Sequence, residues 1–228
     1  MVFFLAMRPR IYYSYSTTPK RGIRFGREEL RDIGLAVGAL TLAFTIMWLS
    51  PIGGTSGFSV FAVVIILLIS LVAVLTGFLM HELAHKIVAV RYGLWSEFKA
   101  NRTGLIFSIV TAFFGIVLAA PGAVMIAGPV SLKQSGKISA AGPLTNLGFG
   151  AGFLGILLLL LNFNAVSNEI LRLLMYEVIS VNLILGTFNM IPFPPLDGSK
   201  IWWWNKPLWI GMIAVFATLL GYFFFILF

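Results

Sequence analysis

The sequence predicts an all-α polytopic membrane protein with about five to six transmembrane helices and a small membrane-associated β-hairpin or re-entrant segment. Three observations predict it. Of the 228 residues, 59% are hydrophobic and 11% charged. Several apolar runs approach or exceed the ~18 residues that read as a membrane span. Lys and Arg cluster beside those runs. Despite a net charge of +8, that placement fits a cytoplasmic membrane face rather than a nucleic-acid partner. The loops are too short for a second soluble domain. The expected organisation is a basic cytoplasmic tail over 1–32 and one integral membrane domain over 33–228. Met1 to Met7 is apolar but too short for the core of a signal peptide.

The elements follow in order. Gly26 to Asp32 can form a short surface helix entering a first span, about Ile33–Ser50. Pro51 to Gly57 is an uncharged turn. The next apolar run, Phe58 to Val90, would be ~50 Å long as one helix, against a ~30 Å hydrocarbon core. It must tilt, protrude or bend, with Gly77 the candidate bend, and Arg91 ends it. Lys86 is expected to snorkel to the nearby face. Gly104 to Ala120 has basic residues on both sides. The positive-inside rule therefore favours a stretch that enters and returns, or that lies buried against protein. Val124–Ser131 and Lys137–Ala140 read as a short hairpin. Further spans are expected at about Pro143–Leu161, Leu173–Met190 and Leu208–Phe228. Trp202, Trp203, Trp204 and Trp209 suit an interfacial belt. This order puts the N-terminus on the cytoplasmic side and the C-terminus outside.

Inside the second run lies His81-Glu82-Leu83-Ala84-His85, an HExxH motif. The chain has two histidines, and both are here. On an α-helix, positions i and i+4 differ by ~40° in direction, so both imidazoles can bind one metal ion. Glu82 is offset by ~60° from His85. It can reach a water at the metal without filling a ligand position. Zinc lowers the pKa of such a water to about 7, and Glu82 can take its proton and return it to the leaving amine. The chemistry is metal-assisted amide hydrolysis. Ionisable groups in an apolar helix are costly and usually functional, which favours a metal site over paired polar residues in a bundle core.

Catalytic zinc sites usually have three protein ligands and one open position. Zero cysteines exclude thiolates and disulfides, so the third ligand must be a carboxylate, a carbonyl or water. Glu28, Glu29 and Asp32 sit beside arginines in the tail. Glu97 lies in a basic loop, and Glu169 is assigned outside. Glu177, within a span, is the main competitor. Asp197 is favoured: it is at the same membrane face as the motif, and the prolines before it break the helix.

Three motifs in order resemble the site-2 protease family of intramembrane metalloproteases. They are His81-Glu-Leu-Ala-His85, Ala141-Gly-Pro-Leu-Thr-Asn146 and Asn189-Met-Ile-Pro-Phe-Pro-Pro-Leu-Asp-Gly198. The resemblance covers roughly residues 58–200. It implies that His81, His85 and Asp197 bind one zinc ion per chain, and that Glu82 is the catalytic acid/base. It also implies that Asn189 lies in the active-site cleft, where it could hold the substrate backbone or steady the oxyanion. The plain alternative for Asn189 is a helix-end residue satisfying freed carbonyls. Gly142, Pro143 and Asn146 read as shaping the start of a span. The substrate implied is a transmembrane helix that unwinds locally, held by strand addition near Pro121 to Met125. No PDZ or CBS domain is recognised in the chain.

The function expected is that of a zinc endopeptidase in the bilayer, cleaving transmembrane segments of membrane proteins near the cytoplasmic face, as in regulated intramembrane proteolysis. The alternatives are an intramembrane metal transporter and a non-catalytic homologue that binds membrane helices.

Overall fold

The computed structural model describes residues 22–50, 59–118, 121–163, 165 and 167–227. Helix α1 spans Arg27–Leu49, with Glu28 and Glu29 in its first turn, where the positive end of the helix dipole favours acidic side chains. The expected surface helix and first span are therefore one element. The expected turn at Pro51 to Gly57 lies outside the described residues. Helix α2, Val60–Val74, is capped by Ser59, whose hydroxyl accepts from the Ala62 N–H at 3.1 Å. The expected bend near Gly77 is a π-helical turn over Leu75–Leu79. Thr76 Oγ1 donates back to the carbonyls of Val72 and Ala73 there, at 3.0 and 3.1 Å. Helix α3, Met80–Arg91, carries the HExxH motif.

Strand β1, Trp95–Ala100, follows α3, and α4, Arg102–Ala112, follows β1. The chain then returns as strand β2, Gly122–Ala127, antiparallel to β1 and running from Trp95↔Ala127 to Ala100↔Gly122. The Asn101 N–H donates to the Pro121 carbonyl at 2.9 Å, closing the excursion. The chain thus leaves the sheet after Ala100 and comes back to it at Gly122, with the short helix α4 on the way. Gly122 has φ +145, and a Cβ there would collide with the Lys99 carbonyl, so a side chain would part the strands.

The hairpin expected at Val124–Ser131 and Lys137–Ala140 does not form. Residues 132–162 are one helix, α5, which starts well before the expected Pro143. A capping box starts it: Ser131 accepts from Gln134 N–H, and the Gln134 side chain accepts from Ser131 N–H. Helix α6 spans Glu169–Asn189, capped by Asn168. Helix α7, Asp197–Trp204, and α8, Lys206–Tyr222, follow, with a final π-helical turn over Phe223–Leu227.

Among the described residues, five helical segments are long and apolar enough to cross a membrane: α1, α2 through α3, α5, α6 and α8. The protein is a multi-pass α-helical membrane protein with a small two-stranded sheet. Two apolar cores flank the motif. One joins α5, α6, α7 and α8 through Leu157, Ile179, Leu183, Ile201 and Phe216. The other joins α1, α2 and β1 through Leu40, Val74, Phe78 and Phe98.

The two sides are tied at Lys86, directly after the second histidine. Lys86 does not snorkel. It is buried, and its Nζ donates to Glu29 Oε1 at 2.5 Å and to the Ser96 carbonyl at 3.0 Å. The same Glu29 oxygen accepts from the Phe98 N–H at 3.0 Å, and Asp32 accepts from the Ala100 N–H at 3.1 Å. Glu29 and Asp32 therefore hold β1 against α1 instead of lining a solvated tail. A buried ion pair becomes strongly destabilising when one partner is removed. We expect Glu29→Gln or Lys86→Met to lower stability by about 3–5 kcal/mol, read as a lower melting temperature in detergent. The double variant Glu29→Leu/Lys86→Met should recover much of that loss.

Candidate metal centre

The two histidines sit one turn apart on α3, and Asp197 opens α7. His81, His85 and Asp197 are all buried, at 3%, 7% and 8% exposure. Their donor atoms converge. His81 Nε2 and His85 Nε2 are 3.0 Å apart, and Asp197 Oδ2 lies 3.2 Å from the first and 3.0 Å from the second. These three residues form a group able to hold a metal ion, the one such group among the described residues. The competing carboxylates are elsewhere: Glu97 pairs with Lys99 at 2.6 Å, and Glu169 with Arg172 at 3.5 Å. Glu177 is buried within α6 beside Trp48 and is not part of the group.

The far side of each imidazole explains why these atoms face one another. His85 Nδ1–H donates to the Ile138 carbonyl at 2.7 Å. A carbonyl only accepts, so Nδ1 carries a proton, and in the neutral ring Nε2 keeps its lone pair. His81 Nδ1–H donates to Asn146 Oδ1 at 2.5 Å. The Asn146 amide spends its two hydrogens on the Gly77 carbonyl at 2.8 Å and Asn182 Oδ1 at 3.1 Å, so its oxygen must face the ring. Both Nε2 atoms and the carboxylate oxygen are then lone-pair atoms about 3 Å apart, an arrangement that calls for a cation between them. Tetrahedral zinc with ligands at ~2.0–2.1 Å separates them by roughly 3.3 Å. The observed triangle needs only a slight expansion, and the donor set fits zinc.

Helix α5 supplies the back wall. A Cβ on Gly142 would lie 2.5 Å from both His81 Nε2 and His85 Nε2. The adjacent Pro143 lies inside the helix and removes the bond to the Ser139 carbonyl, loosening the ladder beside Ile138. Gly142, Pro143 and Asn146 therefore do not open a span: they sit within α5 and press it onto the ligand rings. Asp197 is brought in by tight bends over Ile191–Leu196, which include a cis Pro194–Pro195 peptide. A Cβ on Gly198 would collide with the Met190 carbonyl, so glycine lets α7 sit on the end of α6. The Trp209 indole N–H donates to that carbonyl at 2.7 Å, adding α8 to the support. Lys200 Nζ lies 3.8 Å from Asp197 Oδ1.

Glu82 is half-buried beside the triad, with its carboxylate facing the backbone N–H of Val124 on β2. Asn189 closes α6, and its amide donates to the Leu185 carbonyl at 3.0 Å. That is the helix-end arrangement anticipated as its plain alternative. Sequence reasoning missed Asn146 and Asn182 as groups that orient His81. The signal available was two asparagines inside apolar spans, where an amide must find partners.

A methyl group at residue 142 would fill the space between the ring nitrogens. Gly142→Ala should weaken zinc binding by about tenfold or more, measured by chelator competition on the purified protein. His81→Ala and Asp197→Ala should do the same, while Gly148→Ala, where a Cβ meets nothing, should not.

No family model matches the chain, and no solved structure matches it. Curated relatives do. It is 36% identical over 211 residues to "Putative zinc metalloprotease MJ0611" of Methanocaldococcus jannaschii, covering 90% of this chain and 97% of that protein. It is 32% identical to "Putative zinc metalloprotease YwhC" of Bacillus subtilis, covering 57% of this chain and 65% of that protein. It is 30% identical to "Zinc metalloprotease MJ0392" of Methanocaldococcus jannaschii, covering 54% of this chain and 30% of that protein. With an HExxH helix whose histidines join Asp197 in a group able to hold a metal ion, and a relative matched along nearly its whole length, the chain belongs to the site-2 protease family of zinc metalloproteases.

Proposed function

We propose that this protein is an intramembrane zinc endopeptidase that hydrolyses peptide bonds in transmembrane segments near the cytoplasmic face. The observation that carries the reading is the position of the triad. Two ligands lie in the segment Val60–Arg91, which is long and apolar enough to cross a membrane. A site at that depth has membrane helices as its natural substrates.

The cytoplasmic side follows from charge. Arg91 ends the motif helix, and Lys99, Arg102, Lys133, Lys137, Lys200 and Lys206 lie in the segments joining the spans at that end. At the other end the described Lys and Arg are represented by Arg172. This asymmetry matches the positive-inside rule.

Zinc bound by His81, His85 and Asp197 would supply Lewis acidity that polarises the scissile carbonyl and activates water. Glu82 takes the proton of the attacking water and delivers it to the leaving amine. Asn189 is assigned to the substrate backbone through its remaining carbonyl oxygen, with its amide held by Leu185.

A helix hides its amides in its own hydrogen bonds, so the substrate must be held unwound. Strand β2 offers an edge for this. Phe98 turns its N–H away from β2, toward Glu29, so Phe98 and Val124 form a non-hydrogen-bonded pair. Val124 then turns its own N–H and C=O outward. Among the described residues no third strand pairs with β2. The Val124 N–H faces Glu82, and the other outward groups of β2 can pair with an extended substrate beside it.

Glu82→Gln should retain zinc and fold but lower cleavage of a transmembrane substrate in proteoliposomes by about a hundredfold or more. Unchanged cleavage would sink the assignment. Metal flux through the wild type without any cleavage would favour a transporter. Ile126, opposite Ser96, likewise turns its N–H outward, and Ile126→Pro removes that group without breaking a ladder bond. It should raise KM for that substrate by about threefold or more, with zinc content unchanged.

A further inference from the structure

We infer that Asn182 is a positioning residue for the metal centre, acting on His81 through Asn146 to fix which ring nitrogen faces the metal. The inference rests on the zinc reading above.

Asn182 and Asn146 are both fully buried, on α6 and α5. The Asn182 amide donates one hydrogen to the Val178 carbonyl at 2.8 Å and the other to Thr76 Oγ1 at 3.2 Å. Val178 can only accept, so the Asn182 amide cannot flip without a clash of like groups. Thr76 accepts because its own proton is committed to the carbonyls of Val72 and Ala73. Asn182 Oδ1 is therefore aimed at Asn146, where it accepts the Nδ2 hydrogen at 3.1 Å. The second Nδ2 hydrogen of Asn146 goes to the Gly77 carbonyl within the π-helical turn. With both hydrogens taken, Asn146 presents its oxygen to His81 Nδ1–H, and the lone pair is left on Nε2.

The relay joins α2, the π-helical turn, α6, α5 and α3 in one chain of bonds. Glycine lets the helices approach closely enough to make it. A Cβ on Gly77 would lie 2.8 Å from Val181 Cγ1, and one on Gly150 would lie 2.7 Å from Leu183 Cδ2. His85 is held separately, by the Ile138 carbonyl. The two ligand rings therefore have independent supports, and loss of Asn182 should affect one of them.

The test uses the full chain in detergent, because its only two histidines give a simple ¹⁵N-histidine spectrum. Asn182→Leu keeps a similar volume without polar atoms. In zinc-free alkaline buffer we expect the wild type to show two Nδ1–H rings. Asn182→Leu should show one, His85, with the other ring mixing tautomers. Zinc affinity by chelator competition should fall by about 10- to 100-fold, the usual effect of losing a ligand-orienting group. Thr76→Val, which removes one acceptor from Asn182 and leaves the apolar packing, should lower it by a smaller factor of about two to ten. Wild-type tautomers and affinity in Asn182→Leu would overturn the inference. If Asn182→Leu fails to fold, Thr76→Val decides, and an unchanged affinity there overturns it. A wild type that binds no zinc would remove the metal reading, while the tautomer spectrum would still judge the relay.

Discussion

A polar atom inside an apolar bundle must be partnered within the protein, because the surrounding hydrocarbon offers nothing to bond with. Most of what surrounds the HExxH motif follows from that constraint. Two neutral imidazoles and one carboxylate bring a charge of minus one to the triad, and a bound zinc ion would turn it to plus one. Glu82 beside it would offset that charge, with Lys200 Nζ 3.8 Å from Asp197 Oδ1. Lys86, the next charge along α3, is neutralised separately by Glu29 at 2.5 Å. Around the motif, α3 therefore carries its charges in two compact groups, and Arg91 follows at its end.

The same constraint explains where the glycines lie. Hydrogen bonds between helices need short separations, and side chains at the contact prevent them. Gly77 and Gly142 stand where the motif segment meets α6 and α5, and Gly150 where α5 meets α6, and at each a Cβ would be too close to a neighbouring side chain. Glycine is a poor helix former, at about 0.8–1.0 kcal/mol relative to alanine. In a lipid-facing bundle that cost is offset by packing and buried hydrogen bonds that a larger residue would forbid. The π-helical turn belongs to the same design. It places the Gly77 carbonyl where Asn146 can use it, which a straight helix meeting its own ladder would not do as readily.

The sequence reveals some of this and hides the rest for physical reasons. His81 and His85 were legible as a pair because their spacing matches one helical turn. Asp197 was favoured because helix-breaking prolines and charge placed it at the same face, and its carboxylate lies with both imidazoles in a group able to hold a metal ion. That the second run must tilt, protrude or bend was legible from its length, and the candidate Gly77 lies in a π-helical turn. The start of α5 was not: Lys133, Gln134, Ser135, Gly136 and Lys137 have the composition of a turn, and the helix is set by the local Ser131–Gln134 cap and by α5 packing on Trp204. The Glu29–Lys86 pair was invisible because its partners are 57 residues apart and each had a plausible partner in water. Asn146 reads from sequence as shaping the start of a span, because the bond it makes depends on which helix lies opposite.

The small sheet gains its meaning from an asymmetry between its edges. On β1, the outward Ser96 carbonyl and the outward N–H groups of Phe98 and Ala100 are taken by Lys86, Glu29 and Asp32. An unpaired edge is a template for any extended chain, and three charged side chains close this one, Glu29 and Asp32 from α1 and Lys86 from α3. On β2, the Val124 N–H faces Glu82, and among the described residues no strand takes the rest of the edge. Under the proposed function, closing one edge and leaving the other would let an unwound segment add to the sheet on the side of Glu82. The charges that stabilise the motif helix would then also direct the substrate. Because Lys86 follows His85 directly, the ion pair that shuts the wrong edge also ties the metal-binding turn to the sheet that would present the peptide bond to it.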